Sequence, residues 1–397
     1  MLRARLPVVL AFALAAPLAI SGCDNSGGTA EATPASKEKA PAKDGTPDKE
    51  EPGAKAPAKA EPNVPEAWKG YEFAEGQVGL KGPPAIPADN PMSKEKVSLG
   101  HKLFMDKRLS FDGSRSCYSC HQNQLGNADG RPKALGAGDK PLSRNTPTIW
   151  NVAYHKALYW DGRAPSLEKQ ALGAWKGGNM GVGADNLDAK AAEIGDLPEY
   201  RKDFESIFAV KEGEKVKPDH VAMALSAYER TLVCGNTAWD KGTASDAAKR
   251  GFEVFSGKGQ CAACHYGELY ADGNYHQIGI GFDAEGKVVG AEDMGRAKPS
   301  KDETMKYKFR TPTLRNVSKT APYFHDGSVA SLEQAVKYMA GGGNPKAPGN
   351  DPLLQDRKLT DAEVKDVVAF LESLACTGEL EVIGDQAVPG ITDQKAG

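Results

Sequence analysis

Two short stretches constrain this chain more than any other feature: Cys117-Tyr118-Ser119-Cys120-His121 and Cys261-Ala262-Ala263-Cys264-His265. Each is a Cys-x-x-Cys-His run, the attachment signal for a c-type haem. On a helical turn, residues three and four apart share a face. Two thiols can then reach the haem vinyl groups while the imidazole reaches iron. The rival readings are a zinc site or a thioredoxin-like redox pair. No further Cys/His pair stands at zinc spacing, so two covalent haems are the expected cofactors. Cys117, Cys120, Cys261 and Cys264 would hold them, with His121 and His265 on iron.

The start of the chain bears on where such chemistry takes place. Arg3 and Arg5 precede an apolar run from Leu6 to Ile20, too short to span a bilayer comfortably and well suited to a signal-peptide core. It ends in Ile20-Ser21-Gly22-Cys23, similar to a bacterial lipoprotein cleavage box. Residues 1–22 are therefore expected to be a leader and Cys23 the lipidated first residue of the mature protein. An ordinary signal peptide cut nearby is the alternative. The expected location is the periplasm or cell envelope, with the membrane reached through a lipid anchor only. From Asp24 to Pro62 the residues are Ala, Pro, Lys, Glu, Gly and Thr with almost nothing large and apolar. Such a stretch cannot offset its chain entropy by burial, and it predicts a disordered tether over 23–85. A net charge of −3 over 397 residues gives no basic field for nucleic acid.

Seven cysteines sort into Cys23, the four of the haem motifs, and a remaining pair, Cys234 and Cys376. Each of the last two closes an apolar helical pattern, in Leu232-Val233-Cys234 and Leu374-Ala375-Cys376. Outside the cytosol a disulfide between them is the expected state; two buried free thiols are the alternative.

No alternating strand pattern runs through the body. Short amphipathic helices are predicted at Ser93–Met105, Ser166–Leu172, Leu197–Phe208, Asp219–Leu232, Ala244–Phe255, Ser331–Met339 and Thr360–Leu374, separated by loops rich in Gly and Pro. The order helix, haem motif, glycine-rich loop, helix occurs twice, a weak internal repeat. The expected fold is mainly α, with two cytochrome c-type helical haem domains and long irregular loops. Their expected bounds are 86–240 and 241–380, followed by a flexible tail over 381–397.

From about Pro87 to Leu380 the chain resembles the bacterial di-haem cytochrome c peroxidase family, which also includes MauG-type protein-oxidising enzymes. The resemblance is carried by LGHKLFMDKRLS at 99–110, RNTPTIWN at 144–151 and YWDGRAPSLEKQA at 159–171. Between and after these come the two haem motifs and FRTPTLRNVSKTAPYFHDGSVASLEQAV at 309–336. It implies that the His121 haem reduces hydrogen peroxide and that the His265 haem accepts electrons from a small c-type cytochrome or cupredoxin. It implies Met339 as the second axial ligand of the latter haem, a pairing that raises potential. MauG-type members place Tyr there, and Tyr338 is adjacent. Trp160 resembles the tryptophan between the two haems. Asn145, Thr320 and Pro322 match positions that hold a calcium ion, whose preference for oxygen ligands suits them. Family members are often homodimers, so a dimer is among the expected assemblies.

Two catalytic features depart from the family pattern. The loop LGAGDKPLSRN at 135–145 lacks the histidine that caps the peroxidatic iron in many members, which predicts a site open even when fully oxidised. In GAWKGGNMG at 173–181, Asn179 stands before Met180 where these peroxidases carry a glutamate for acid–base work. Such help is typically worth roughly 10²–10⁴ in rate, and Asn cannot shuttle a proton. Glu168 and Asp185 are the candidate replacements. His276 and His325 are expected near the second haem without ligating it, and His101, His155 and His220 are expected to be exposed. A peroxidase is the leading expectation; the alternatives are a MauG-like oxidase that modifies a partner protein and a membrane-tethered electron carrier.

Overall fold

The structure, a computed structural model, describes residues 79–376. The leader, Cys23, most of the tether and the tail lie outside the described residues. Among these residues there are nine α-helices: α1 Lys94–Met105, α2 Leu167–Lys176, α3 Leu187–Gly195, α4 Pro198–Phe208, α5 Pro218–Glu229, α6 Asp246–Ser256, α7 Ala297–Ser300, α8 Leu332–Ala340 and α9 Asp361–Ser373. Two two-residue strands, β1 Tyr275–His276 and β2 Phe309–Arg310, pair antiparallel.

Local chemistry explains where the helices begin. Ser93, Ser166, Ser245, Ser331 and Thr360 each accept a bond from a backbone N–H in the first turn, satisfying one of the donors a helix start leaves open. Ser331 with Gln334, and Thr360 with Glu363, form reciprocal capping boxes. α4 and α5 open instead on a proline, which lacks the N–H that would go unpaired. α3 was not anticipated from sequence. It has no side-chain cap and follows a short 3-10 turn at Ala184–Asn186, so the boundary signals were missing.

The internal repeat is explicit in the packing. Gly100 on α1 lies where a Cβ would meet the Ala224 carbonyl of α5 at 1.9 Å; Gly251 on α6 lies where a Cβ would meet the Asp366 carbonyl of α9 at 1.9 Å. Each half thus has one close helix crossing, with an aromatic pair beside it: Phe104 with Tyr228, and Phe255 with Phe370, both at 5.0 Å between ring centroids. Asn151 takes a left-handed conformation, donates its N–H to the Leu232 carbonyl, and accepts the Cys234 N–H on Oδ1. Asn316 does the same with Leu374 and Cys376. Residues 224–234 therefore correspond to 366–376, and 144–176 to 309–341.

Cys234 and Cys376, at matching positions of the two halves, are joined by a disulfide. Ion pairs that are wholly or largely shielded from solvent lie beside this boundary between the halves. Arg144 reaches Asp161 at 2.8 Å and Asp293 at 2.7 Å, while Arg315 reaches Asp240 at 2.7 Å. The tether was expected to run to residue 85, but by Gly79 the chain is already docked. Gly79 N–H donates to the Gly235 carbonyl, Leu80 is buried, and Arg315 Nη2 donates to the Gly79 carbonyl at 3.0 Å. One apolar side chain and a glycine small enough to fit against Asp240 suffice to fix this end.

Candidate functional site: two matched haem-binding sites

Each Cys-x-x-Cys-His run forms a tight 3-10 turn, Cys117–Ser119 and Cys261–Ala263. The His121 N–H donates to the Cys117 carbonyl at 3.1 Å, and the His265 N–H to the Cys261 carbonyl at 2.9 Å. All four cysteines are free. Burial pushes the thiols of Cys117, Cys120 and Cys261 up, the last two to about 11, so these three sit as neutral sulfhydryls available for thioether formation.

The histidines carry the decisive geometry. His121 Nδ1–H donates to the Asn127 carbonyl at 2.9 Å, and His265 Nδ1–H to the Tyr270 carbonyl at 2.8 Å. A carbonyl can only accept, so each ring is fixed as the Nδ1–H tautomer with its Nε2 lone pair free for a metal. Burial lowers the affinity of both rings for a second proton, which keeps that lone pair available.

An apolar cavity opens in front of His265, walled by Cys261, Cys264, Phe255, Leu332, Val336, Met339, Val367 and Leu371. Met339 lines it. The adjacent Tyr338 points its hydroxyl to the Ile278 carbonyl at 2.8 Å and packs on Phe324 at 5.3 Å, outside the residues that wall the cavity. Arg310 also lines it, and among the described residues no carboxylate pairs with its guanidinium. Nη1 meets His155 Nδ1 and the Thr311 carbonyl, both at 3.2 Å. A buried cation without a counter-charge is costly, and burial pulls Arg310 down to about 10. Haem supplies two propionates, the anionic groups such a residue calls for. Free thiols, single-tautomer histidines and this unpaired guanidinium together fit a covalent haem.

Trp160 lines the same cavity although it belongs to the first half. Its Nε1–H donates to the Asn145 carbonyl at 2.9 Å, and its ring meets His325 edge-on at 6.5 Å. His325, the residue matching Trp160 in the repeat, stacks on Phe309 at 3.6 Å. Asn145, Thr320 and Pro322 line this cavity too, and the Asn145 amide donates to the Arg131 carbonyl at 2.8 Å. His276 lies between Asp351 at 2.6 Å and Asp272 at 3.0 Å. His101 is buried, and burial lowers His155 to about 3, so neither is the exposed residue expected from sequence.

The two departures from the family pattern sit side by side. Ala137 N–H donates to the Asn179 carbonyl at 3.0 Å, and Gly136 lies against the Gly178 carbonyl where a Cβ would come within 2.1 Å. The histidine-free loop and the Asn179 loop are thus knit together. Of the suggested replacement carboxylates, Asp185 is exposed. Glu168 accepts bonds from Arg230 at 2.6 Å and Asn90 at 2.8 Å. Although burial opposes it, Arg230 and these bonds hold Glu168 below its ordinary range, so it stays ionised. Glu168 therefore carries no proton to give. Arg310 and Glu229 escaped the sequence reading; superposing the two halves would have exposed Glu229, which falls opposite Leu371.

Comparison with known proteins gives a consistent picture. Residues 94–248 match the family described as di-haem cytochrome c peroxidase, and residues 248–375 the cytochrome c family. The chain is 37% identical over 345 residues to cytochrome-c peroxidase IdrP1 of Denitromonas iodatirespirans, covering 79% of this chain and 90% of the relative. It is 38% identical over 299 residues to methylamine utilization protein MauG of Methylorubrum extorquens, covering 72% and 80%. The crystal structure of a MauG-like protein associated with microbial copper homeostasis superposes with a TM-score of 0.68 at 32% identity, covering 74% of this chain and 93% of that one.

Proposed function

The chain belongs to the di-haem cytochrome c peroxidase family, and from that premise we propose that it reduces hydrogen peroxide to water with electrons from a small c-type cytochrome or cupredoxin. It is an oxidoreductase, and its cofactors are covalently bound haem c. When bound, the haems supply the redox chemistry, taking single electrons from the donor and delivering two of them to peroxide. What the chain contributes is an asymmetric setting for them.

The observation that carries this reading is the pair Met339 and Ala174, which occupy the same position on α8 and α2. Met339 presents a thioether to the cavity in front of His265, which suits a six-coordinate, high-potential electron-accepting site. Ala174 has no ligand to offer, and the loop 135–145 has no histidine, which leaves room for peroxide on the His121 side. Trp160, between the halves, suits electron passage from one to the other. Asn145, Thr320 and Pro322 suit a calcium ion that would brace the same boundary. The expected assignment is thus residues 86–240 for the peroxide-reducing domain and 241–380 for the electron-accepting one.

An exported, lipid-anchored form rests on the leader pattern and Cys23, outside the described residues. Among those that are described, no helix is long and apolar enough to cross a membrane. A tethered protein of this kind would meet its donor in the periplasm, as a monomer or homodimer.

The MauG relative keeps a second reading in view, oxidation of a residue on a partner protein. Asn179 in place of an acid–base glutamate favours it, while the orientation of Tyr338 disfavours it. The test is peroxide-dependent oxidation of a reduced c-type cytochrome or cupredoxin by the purified di-haem protein. Steady turnover with two donors oxidised per peroxide is expected; no oxidation of any such donor would overturn the reading.

A further inference from the structure

The peroxidase reading leaves one need unmet: a proton source where Asn179 replaces a carboxylate. Among the described residues, a buried carboxyl without a full set of partners lies at the end of α5. Glu229 is 7% exposed, and its Oε2 has no hydrogen-bond partner and no solvent contact. A buried, unpartnered carboxyl oxygen is expensive, and structures keep one where it has work to do.

The repeat says which way this residue faces. Residues 224–234 correspond to 366–376 through two independent markers, the helix crossings at Ala224 and Asp366 and the asparagine contacts at Cys234 and Cys376. Glu229 therefore occupies the position of Leu371, and Leu371 walls the cavity in front of His265. The neighbouring position agrees, since Leu225 corresponds to Val367, which walls the same cavity. Where the second half puts an aliphatic wall, the first half puts a carboxyl.

From this placement we propose that Glu229 is the catalytic acid of the first haem site, holding a proton at its Oε2 and giving it to the departing oxygen of hydrogen peroxide. The inference rests on the peroxidase reading above. Reduction of peroxide to two waters takes two electrons and two protons. The electrons come from the reduced donor. Here the Glu229 O–H bond breaks as the O–O bond breaks, the departing oxygen leaves as water, and the carboxylate regains its proton from solvent. The second proton comes from solvent as well.

The surroundings favour the protonated form. Burial pushes Glu229 up to about 8; Arg230 pulls it down and the Glu168 carboxylate pushes it further up. Cys117 on the haem-motif turn and the hydroxyls of Tyr159 and Tyr228 face it as well. Lys96 and His101 of α1 lie one layer further out, against Arg230 and Tyr228. Arg230 bonds Glu168 through Nη2 at 2.6 Å, while its Nε and Nη1 are buried without a hydrogen-bond partner.

Purified di-haem wild type, Glu229→Gln and Glu229→Asp would be mixed rapidly with hydrogen peroxide across a pH range spanning 8, and their pH-difference infrared spectra recorded without peroxide. The wild-type reaction should slow as pH rises through about 8. Gln should lower the rate by roughly 10²–10⁴ and remove that inflection, with partial recovery in Asp. The infrared band of a protonated carboxyl should titrate away over the same range in wild type and be missing in Gln. A wild type without such a band overturns the inference whether or not the variants fold. A reactive wild type matched by Gln overturns it alone, whereas a wild type inert to peroxide removes the peroxidase reading and this inference together.

Discussion

The two halves of the molecule share a skeleton and differ at a few positions that face the haem sites. Both have a glycine at the helix crossing, an aromatic beside it, a left-handed asparagine and a histidine tautomer fixed by a backbone carbonyl. Against that common frame, Ala174 stands opposite Met339, Glu229 opposite Leu371 and Trp160 opposite His325. The shared frame places the two haem motifs alike, and on the proposed reading these three pairs set the two sites apart. On the proposals above, the first half leaves a coordination position open and keeps a proton nearby. In the second, aliphatic side chains and the Met339 thioether line the cavity in front of His265, the setting proposed above for an electron-transfer haem.

The sharpest way to break the comparison is to exchange the axial positions. Ala174→Met should close the first site and abolish its reaction with peroxide, read as loss of any spectral response on mixing. Met339→Ala should make the second haem respond like the first and lower its midpoint potential, within the roughly 0.8 V range that axial ligands set. A redox titration of each variant checks both.

Removing the covalent tie between the halves comes next. Cys234→Ser should destabilise the protein by about 2–4 kcal/mol, measured by denaturant unfolding, while leaving both haem spectra intact. The helix crossings give smaller, localised effects. Gly100→Ala and Gly251→Ala each push a methyl group toward a backbone carbonyl and should cost about 1–3 kcal/mol. Gly100→Ala should broaden the spectrum of the first haem and spare the second; Gly251→Ala should do the reverse.

A pH effect follows from Glu229. Its pKa is raised from 4.5 to about 8 in the folded protein, so the native state holds this proton more tightly than the unfolded chain. The stabilising contribution is fully present below about 4.5 and is lost as pH rises through about 8. Stability measured over that interval should fall with pH in wild type and fall less in Glu229→Gln.

Much of this organisation was legible in the sequence. The haem motifs name their own ligands, and the helices with a Ser or Thr cap were placed to within a few residues. What escaped had no local signature. α3 lacks a capping side chain, and the end of the tether is held by tertiary contacts of Leu80 and Gly79. The burial of His101 follows from the packing of α1 on Tyr228. Glu229 sits inside an apolar helical stretch and reads there as an ordinary polar residue. Its surroundings become visible only when the two halves are laid over one another.

The division of labour between the halves is tested most directly by the electron paramagnetic resonance spectrum of the oxidised protein before and after one equivalent of hydrogen peroxide. We predict one high-spin ferric signal and one low-spin signal with methionine ligation at rest, the high-spin signal disappearing promptly on addition of peroxide. Two low-spin haems, or a high-spin signal indifferent to peroxide, would contradict the account.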